Sequence, residues 1–180
     1  MLVLSFDLET NGLHGETIAI AAIVRRDGET VGIFEGRTPN PIHPFDQWIV
    51  DNILPAIGGM TVTHPTAEAL EETFWEFYLA WKEQGAILIA HCCWPVETGV
   101  FHRMVARRFS ERQWQGPYPA LHDVATVLLL AGEQPDSTEQ YLTTHRLQVP
   151  FAGSPHHPMY DAVSAVIVWE HAIWRLSTGS

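Results

Sequence analysis

The sequence predicts an α/β fold: a mixed sheet of three antiparallel N-terminal strands plus parallel strands, flanked by helices, in one domain over residues 1–180. Three observations predict it. Strand-like runs come first, at residues 2–6, 17–24 and 30–36. A strand–helix unit follows at residues 86–109, which is the signature of a parallel pairing. Helical periodicity then fills the C-terminal part. A chain of 180 residues is long enough for one domain to bury most of its apolar surface.

The first strand is an apolar run, Leu2 to Phe6, that leads directly into Asp7-Leu8-Glu9. Strands of that composition are buried on both faces. The second strand, 17–24, is apolar enough to be central. Asp27-Gly28 is a tight-hairpin signal, so the third strand, 30–36, completes an antiparallel meander. Residues 38–65 carry Pro39, Pro41, Pro44, Pro55, Pro65 and Gly58-Gly59, a density that forbids a long regular element. Within it, 45–50 is expected to form a helical turn or two. Thr66 caps a helix that ends at Gly85, with Leu70, Phe74, Phe77, Tyr78 and Trp81 as its core stripe. Residues 86–91 form a short buried strand parallel to the first. Pro95 opens a helix running to about residue 109. Residues 117–121 lead into a helix over 122–131, closed by Gly132. A short helix covers 140–145, a Pro/Gly-rich loop 149–155, and a last helix runs from near Pro158 to about Leu176.

Composition narrows the function. Apolar residues make up 46% and charged residues 17%, a globular balance. No apolar run approaches the ~20 residues of a membrane span. Acids follow the N-terminus within seven residues, unlike the basic start of a signal peptide, so a cytoplasmic protein without membrane partners is expected. Cys92 and Cys93 are adjacent, which suits neither a disulfide framework nor C-x-x-C zinc spacing; reduced core or near-core thiols are expected. The net charge of -11 argues against coating duplex nucleic acid by charge alone. It is compatible with gripping a few nucleotides at a metal site, because acids that hold cations still count as negative. The one dense basic region is Arg103, Arg107, Arg108 and Arg112, readable as a solvated helix face or as a phosphate contact.

Asp7 and Glu9, at i and i+2 of a strand, share a face. Two like charges at the end of a buried strand need a counter-charge, and carboxylate oxygens suit a divalent cation; the alternative is a strand end whose acids point into solvent. Three other places offer polar residues to chemistry: residues 91–97, with Glu97 in a helix's first turn; residues 156–161, with His156, His157 and Asp161; and Asp123.

These segments resemble the DEDD exonucleases of the ribonuclease H-like fold. Phe6-Asp7-Leu8-Glu9-Thr10-Asn11-Gly12-Leu13 looks like the first motif, F-D-x-E-T-T/N-G-L. His156-x-x-x-x-Asp161-Ala162 looks like the third motif of the DEDDh branch, where His precedes the last Asp by five residues. Leu121-His122-Asp123-Val124-Ala125-Thr126 is similar to the D-T-x-x-L-A segment between the second and third motifs. Order and spacing match over essentially the whole chain. The short single domain looks most like the small bacterial and phage exoribonucleases and oligoribonucleases. The second motif departs: where the family reads H-N-x-x-F-D, this chain has His91-Cys92-Cys93-Trp94-Pro95-Val96-Glu97. The acid is one residue later and one methylene longer, and Cys92 replaces the Asn. Two readings of Glu97 stand, a metal ligand and a first-turn acid favoured by the helix dipole.

The resemblance implies a 3′-5′ exonuclease acting on the 3′ end of single-stranded RNA or DNA, with RNA and short oligonucleotides favoured. It implies two divalent ions, Mg²⁺ or Mn²⁺, with Asp7 on both, Glu9 and Asp161 on the ion that binds the attacking water, and Glu97 on the second. His156 is the implied general base, chosen over His157 by the five-residue offset to Asp161. Thr10, Asn11 and Leu13 are implied contacts to the terminal nucleotide, with His91 and Trp94 flanking the pocket; core packing is the other reading of Trp94. Small members of the family are commonly homodimers. Two other functions compete: a nucleic-acid-binding module of this fold that has lost activity, and a metal hydrolase acting on another substrate.

Overall fold

Strand β1 (Leu2–Thr10) is the middle strand of a five-stranded sheet of order β3-β2-β1-β4-β5. The computed structural model describes residues 1–116 and 121–179. β1 pairs antiparallel with β2 (Thr17–Arg26), placing Asp7 opposite Ala21 and Glu9 opposite Ala19. β2 pairs antiparallel with β3 (Glu29–Arg37) through a turn in which Asp27 and Gly28 both have positive φ, 51° and 88°. That is the backbone a two-residue hairpin turn demands, and Asp-Gly supplies it. On its other edge β1 pairs parallel with β4 (Ile87–Ala90), and β4 pairs parallel with β5 (His122–Asp123). The mixed sheet expected from the sequence is present.

Helices cover both faces. On one, α2 (Ala67–Lys82) and α3 (Val96–Arg107) pack over Leu4, Phe6 and Leu8. Phe6 lies 5.4 Å, centroid to centroid, from both Phe74 and Phe101. On the other, α5 (Val124–Leu130), α6 (Thr138–His145) and α7 (Pro158–Thr178) pack with Val3, Ala21 and Ile23. The pleat alternates side chains, so Val3, Ser5, Asp7 and Glu9 all belong to the α7 face. No helix among the described residues is long and apolar enough to cross a membrane.

Several boundaries differ from the sequence reading, each for a local reason. β1 continues through the acids to Thr10, because β2 pairs with it that far. Helical winding in the Pro-rich segment begins at residue 47 and runs past the expected end, through the π-wound turn Ile49–Ile53 into α1 (Leu54–Ala56), with Asp46 accepting a hydrogen bond from the Ile49 N–H. Pro95 is the residue before α3 rather than its first. α3 ends at Arg107, and a short helix, α4 (Phe109–Arg112), follows. His122 and Asp123 form a strand instead of opening a helix; the Asp123 carboxylate then caps α5 by accepting from the Ala125 N–H at 2.9 Å. Of the stretch expected to lead there, residues 117–120 lie outside the described residues.

The arginines of the basic cluster are paired with acids of α2, although Arg108 remains half exposed. Glu71, on α2, is buried and receives Arg103 at 3.1 Å, Arg107 at 2.6 Å and the Thr17 hydroxyl at 2.5 Å. Glu72 receives Arg108 at 3.2 Å and Arg112 at 2.9 and 2.5 Å. Arg112 is only 1% exposed, lies over the Trp75 ring at 4.5 Å and donates to the Met104 carbonyl. Its hydrogen bonds hold the Glu72 carboxyl below its ordinary range. These pairs fasten α3 and α4 to α2. Arg112→Met removes a buried cation together with its bonds to Glu72 and the Met104 carbonyl, so it is expected to lower the unfolding free energy in urea by about 2 kcal/mol. Arg108→Ala, at a half-exposed pair, is expected to cost less than about 1 kcal/mol; equal losses would contradict the burial described.

Candidate active site

Four carboxylates from three elements line one cavity of about 650 Å³. Asp7 and Glu9 come from β1, Glu97 from the first turn of α3, and Asp161 from the first turn of α7. Each has a local reason to be there. The pleat aims Asp7 and Glu9 at α7. Parallel pairing of β4 with β1 brings the start of α3 beside them. Pro158 and the His157 cap start α7 at a fixed point: the His157 Nδ1 accepts from the Met159 N–H at 3.3 Å. Asp161 then reaches back to accept the His156 N–H at 2.8 Å. That hydrogen bond spans a left-handed turn, with His156 at φ 68°.

The cluster is electrostatically unbalanced. No lysine or arginine is among the described residues that line the cavity. Burial pushes the Asp7 carboxyl well up, and Asp161, Glu9 and Glu97 add to it. Glu9 is pushed up by burial, then by Asp161 and Glu97. Burial raises Glu97 to about 8. Burial also raises Asp161 to about 7, against the lowering effect of the His156 N–H. Hard oxygen donors in this crowded state fit a divalent cation. Glu9, His156 and Asp161 each offer a ligand atom within 4.8 Å of the others. Asp7 and Glu97 line the same cavity.

His156 lines the cavity, and its Nδ1 lies 3.9 Å from Glu9 Oε1. The Trp48 ring meets it edge-on, centroids 5.1 Å apart. His157 is occupied in capping α7. Thr10, Leu13 and His91 line the cavity. The Thr10 hydroxyl donates to the Gly12 carbonyl, and His91 Nε2 donates to the Pro135 carbonyl at 2.8 Å. Asn11 stands behind the wall: it donates to the His43 carbonyl and accepts from the Phe45 N–H at 2.7 Å. Trp94 is 77% exposed and lies apart from the described cavity lining, so it is neither core nor pocket wall. Asp123 is structural. It accepts the N–H groups of Cys92 and Cys93 at 2.9 and 3.1 Å, fixing the turn that follows β4. Cys93 is buried, whereas Cys92 is exposed at φ 53° and lines the cavity.

One wall was missed by the sequence reading. Phe45, Asp46, Trp48, Ile49 and Ile53 close the cavity from the Pro-rich segment. That segment is drawn over the end of β1 by the two Asn11 hydrogen bonds and by Phe45, which packs on Gly12. Gly12 has φ 85°, and a Cβ there would stand 3.0 Å from the Phe45 ring. The available signal was two aromatic residues in a stretch whose prolines forbid a core helix. Asp136, Ser137, Thr138 and Glu139 form a further part of the wall.

No protein-family model matches the chain, and no curated protein matches it in sequence. Among solved structures, the crystallographic structure of the nuclease domain of 3'hExo, a DEDDh family member, bound to rAMP, is similar with a TM-score of 0.61. The sequences are 10% identical, and the match covers 99% of this chain and 92% of that one. A likeness at that identity is one of architecture: the chain has the fold of a DEDDh nuclease domain.

Proposed function

We propose that this protein is a metal-dependent 3′-5′ exonuclease acting on single-stranded RNA or DNA. The observation that carries the reading is the convergence of Asp7, Glu9, Glu97 and Asp161 in a cavity that offers them no lysine or arginine among its described lining residues, with His156 at their edge. The order of the first and third motifs supports it, as does the shared fold with a nuclease domain whose structure holds rAMP. In this reading Asp7, Glu9 and Asp161 hold divalent ions, Mg²⁺ or Mn²⁺, and Glu97 contributes from α3. Bound there, such ions supply Lewis acidity and the positive charge that phosphodiester cleavage requires.

The chain's own residues do the rest. The His156 imidazole takes a proton from the attacking water, and the nearby Glu9 carboxylate steadies the imidazolium that forms. The water oxygen bonds to phosphorus as the bond to the 3′ oxygen of the preceding nucleotide breaks. A nucleoside 5′-monophosphate leaves, and the strand is one residue shorter. The Trp48 and Phe45 rings and the exposed Leu13 give the cavity apolar surface against which a terminal base can stack. The acidic site favours a strand end over a duplex.

The direct experiment uses RNA and DNA oligonucleotides labelled at the 3′ or the 5′ end, with and without Mn²⁺ or Mg²⁺. Metal-dependent release of mononucleotides from the 3′ end is expected; internal fragments, or binding with no hydrolysis, would overturn the reading. Asp7→Asn is expected to bring hydrolysis to the metal-free level. His156→Ala is expected to lower kcat by about 10²-fold to 10⁴-fold with the fold intact by circular dichroism.

Stability carries a separate signature. The raised carboxyl pKa values, about 7 for Asp161 and about 8 for Glu97, mean that the native state binds more protons than the unfolded chain above about pH 4. This contribution is fully present below the unfolded pKa values and is lost as pH rises through the folded ones. The Tm of the metal-free protein is therefore expected to fall between about pH 5 and pH 8. Mn²⁺ is expected to raise it more at the alkaline end, because there it has fewer protons to displace. A metal effect that shrinks with rising pH in a thermal-shift series would contradict the cluster's role.

A further inference from the structure

Of the ten lysines and arginines in the chain, Arg146 is the one whose side chain has no hydrogen-bond, ion-pair or ring partner among the described residues. The others are engaged: Arg25 with Glu170, Arg26 with Gln84, Arg37 and Lys82 with backbone carbonyls, the α3–α4 arginines with Glu71 and Glu72, and Arg175 with Glu133. Arg146 is exposed and follows α6 directly, with a left-handed backbone, φ 55° and ψ 37°. Glycine ordinarily fills such a position, and any other side chain costs about 1 kcal/mol there.

Its surroundings give the free cation a place. Arg146 lines a groove of about 600 Å³ with Thr143, Gln148 and Tyr160. Glu139 lines both this groove and the carboxylate cavity. Tyr160, in the groove, immediately precedes Asp161, in the cavity. The two spaces therefore adjoin. Glu139, in the first turn of α6, and Arg146, just past its end, both line the groove, about 10 Å apart along the helix axis. A strand whose 3′ end occupies the cavity and which continues into the groove passes Glu139, an exposed side chain free to turn into solvent. It then meets the one guanidinium that is unpaired among the described residues.

We infer that Arg146 binds a backbone phosphate of the substrate strand on the 5′ side of the scissile bond, making the α6–α7 groove a second subsite for single-stranded nucleic acid. This rests on the exonuclease reading of the cavity. The residue positions the strand and takes no part in bond breaking. A guanidinium is suited to the task by its fork of donors and its fixed charge.

The test compares a pentanucleotide with a dinucleotide that has no 5′ phosphate, measuring kcat and KM for each. In Arg146→Gln the preference in KM for the pentanucleotide is expected to shrink by about 5-fold to 10-fold, with kcat on the pentanucleotide unchanged. The slope of log(kcat/KM) against log[salt] for the pentanucleotide is expected to become shallower by about 0.7, the value of one phosphate contact on a single strand. Arg146→Lys is expected to recover part of the preference. Arg146→Gly, which suits the left-handed backbone, is expected to behave as Arg146→Gln, separating lost charge from altered folding. Equal effects on both substrates, an unchanged salt slope, or a preference restored by Arg146→Gly would overturn the subsite while leaving the exonuclease reading intact. Hydrolysis of neither substrate by the unaltered protein would overturn both.

Discussion

The rest of the structure depends on holding like charges together out of water. Asp7 and Glu9 stand on the middle strand of the sheet, paired with β2 at both positions and covered on both faces, which holds the two carboxylates together. Their repulsion and desolvation raise the free energy of the folded state. Burial of apolar side chains elsewhere on β1 opposes that cost at roughly 1.5–3 kcal/mol for each large residue. Phe6 and Leu8 alternate with the acids on the same nine-residue strand and point into the opposite layer. One element thus carries both the strain and much of what offsets it. The rigidity that makes the cluster costly is also what a site for divalent ions requires, because carboxylates free to swing apart would not hold ions in a fixed relation.

Charge is distributed in a way that the net value of -11 conceals. Cations are spent inside the molecule. Four arginines are consumed in fastening α3 and α4 to Glu71 and Glu72. Arg37 donates into the loop carbonyls of Ile57 and Met60, and Lys82 into those of Gln115 and Gly116. What remains outside is an acidic surface with little attraction for a long polyanion. On the exonuclease reading, recognition would rest on the cavity at a strand end, its aromatic wall and the proposed groove subsite.

Much of this was legible in the residues. The pairing of Asp7 with Glu9 follows from a period of two, and Glu97 was identifiable as a first-turn acid at the end of a buried strand. His156 and Asp161 were drawn together by a loop entering a helix. The meander, the buried β4 and the helices α2, α3, α5, α6 and α7 were readable from hydrophobic period and caps, with errors at their ends. The rest depended on contacts between distant segments. Arg103 to Arg112 read as a basic patch because helical spacing places them near one another, and nothing in that spacing reveals that α2 presents Glu71 and Glu72 to them. Trp48 and Phe45 escaped because the hydrogen bonds that bring their segment over the site are made by Asn11, more than thirty residues earlier. His122 was misassigned because a two-residue strand has no period to detect.

The hydrogen bond from the His156 N–H to Asp161 gives one carboxylate two duties. It faces the cavity, and it latches the loop that carries His156. Asparagine would keep an acceptor for the latch and give up the charge. Glutamate would keep the charge and carry the oxygens about one bond length further along a side chain with an extra rotor. No other residue type meets both demands, so this position has no conservative neighbour in sequence space. A drifting sequence can exchange an acid at the start of α3, where Glu97 already stands, far more readily than it can exchange the acid of α7.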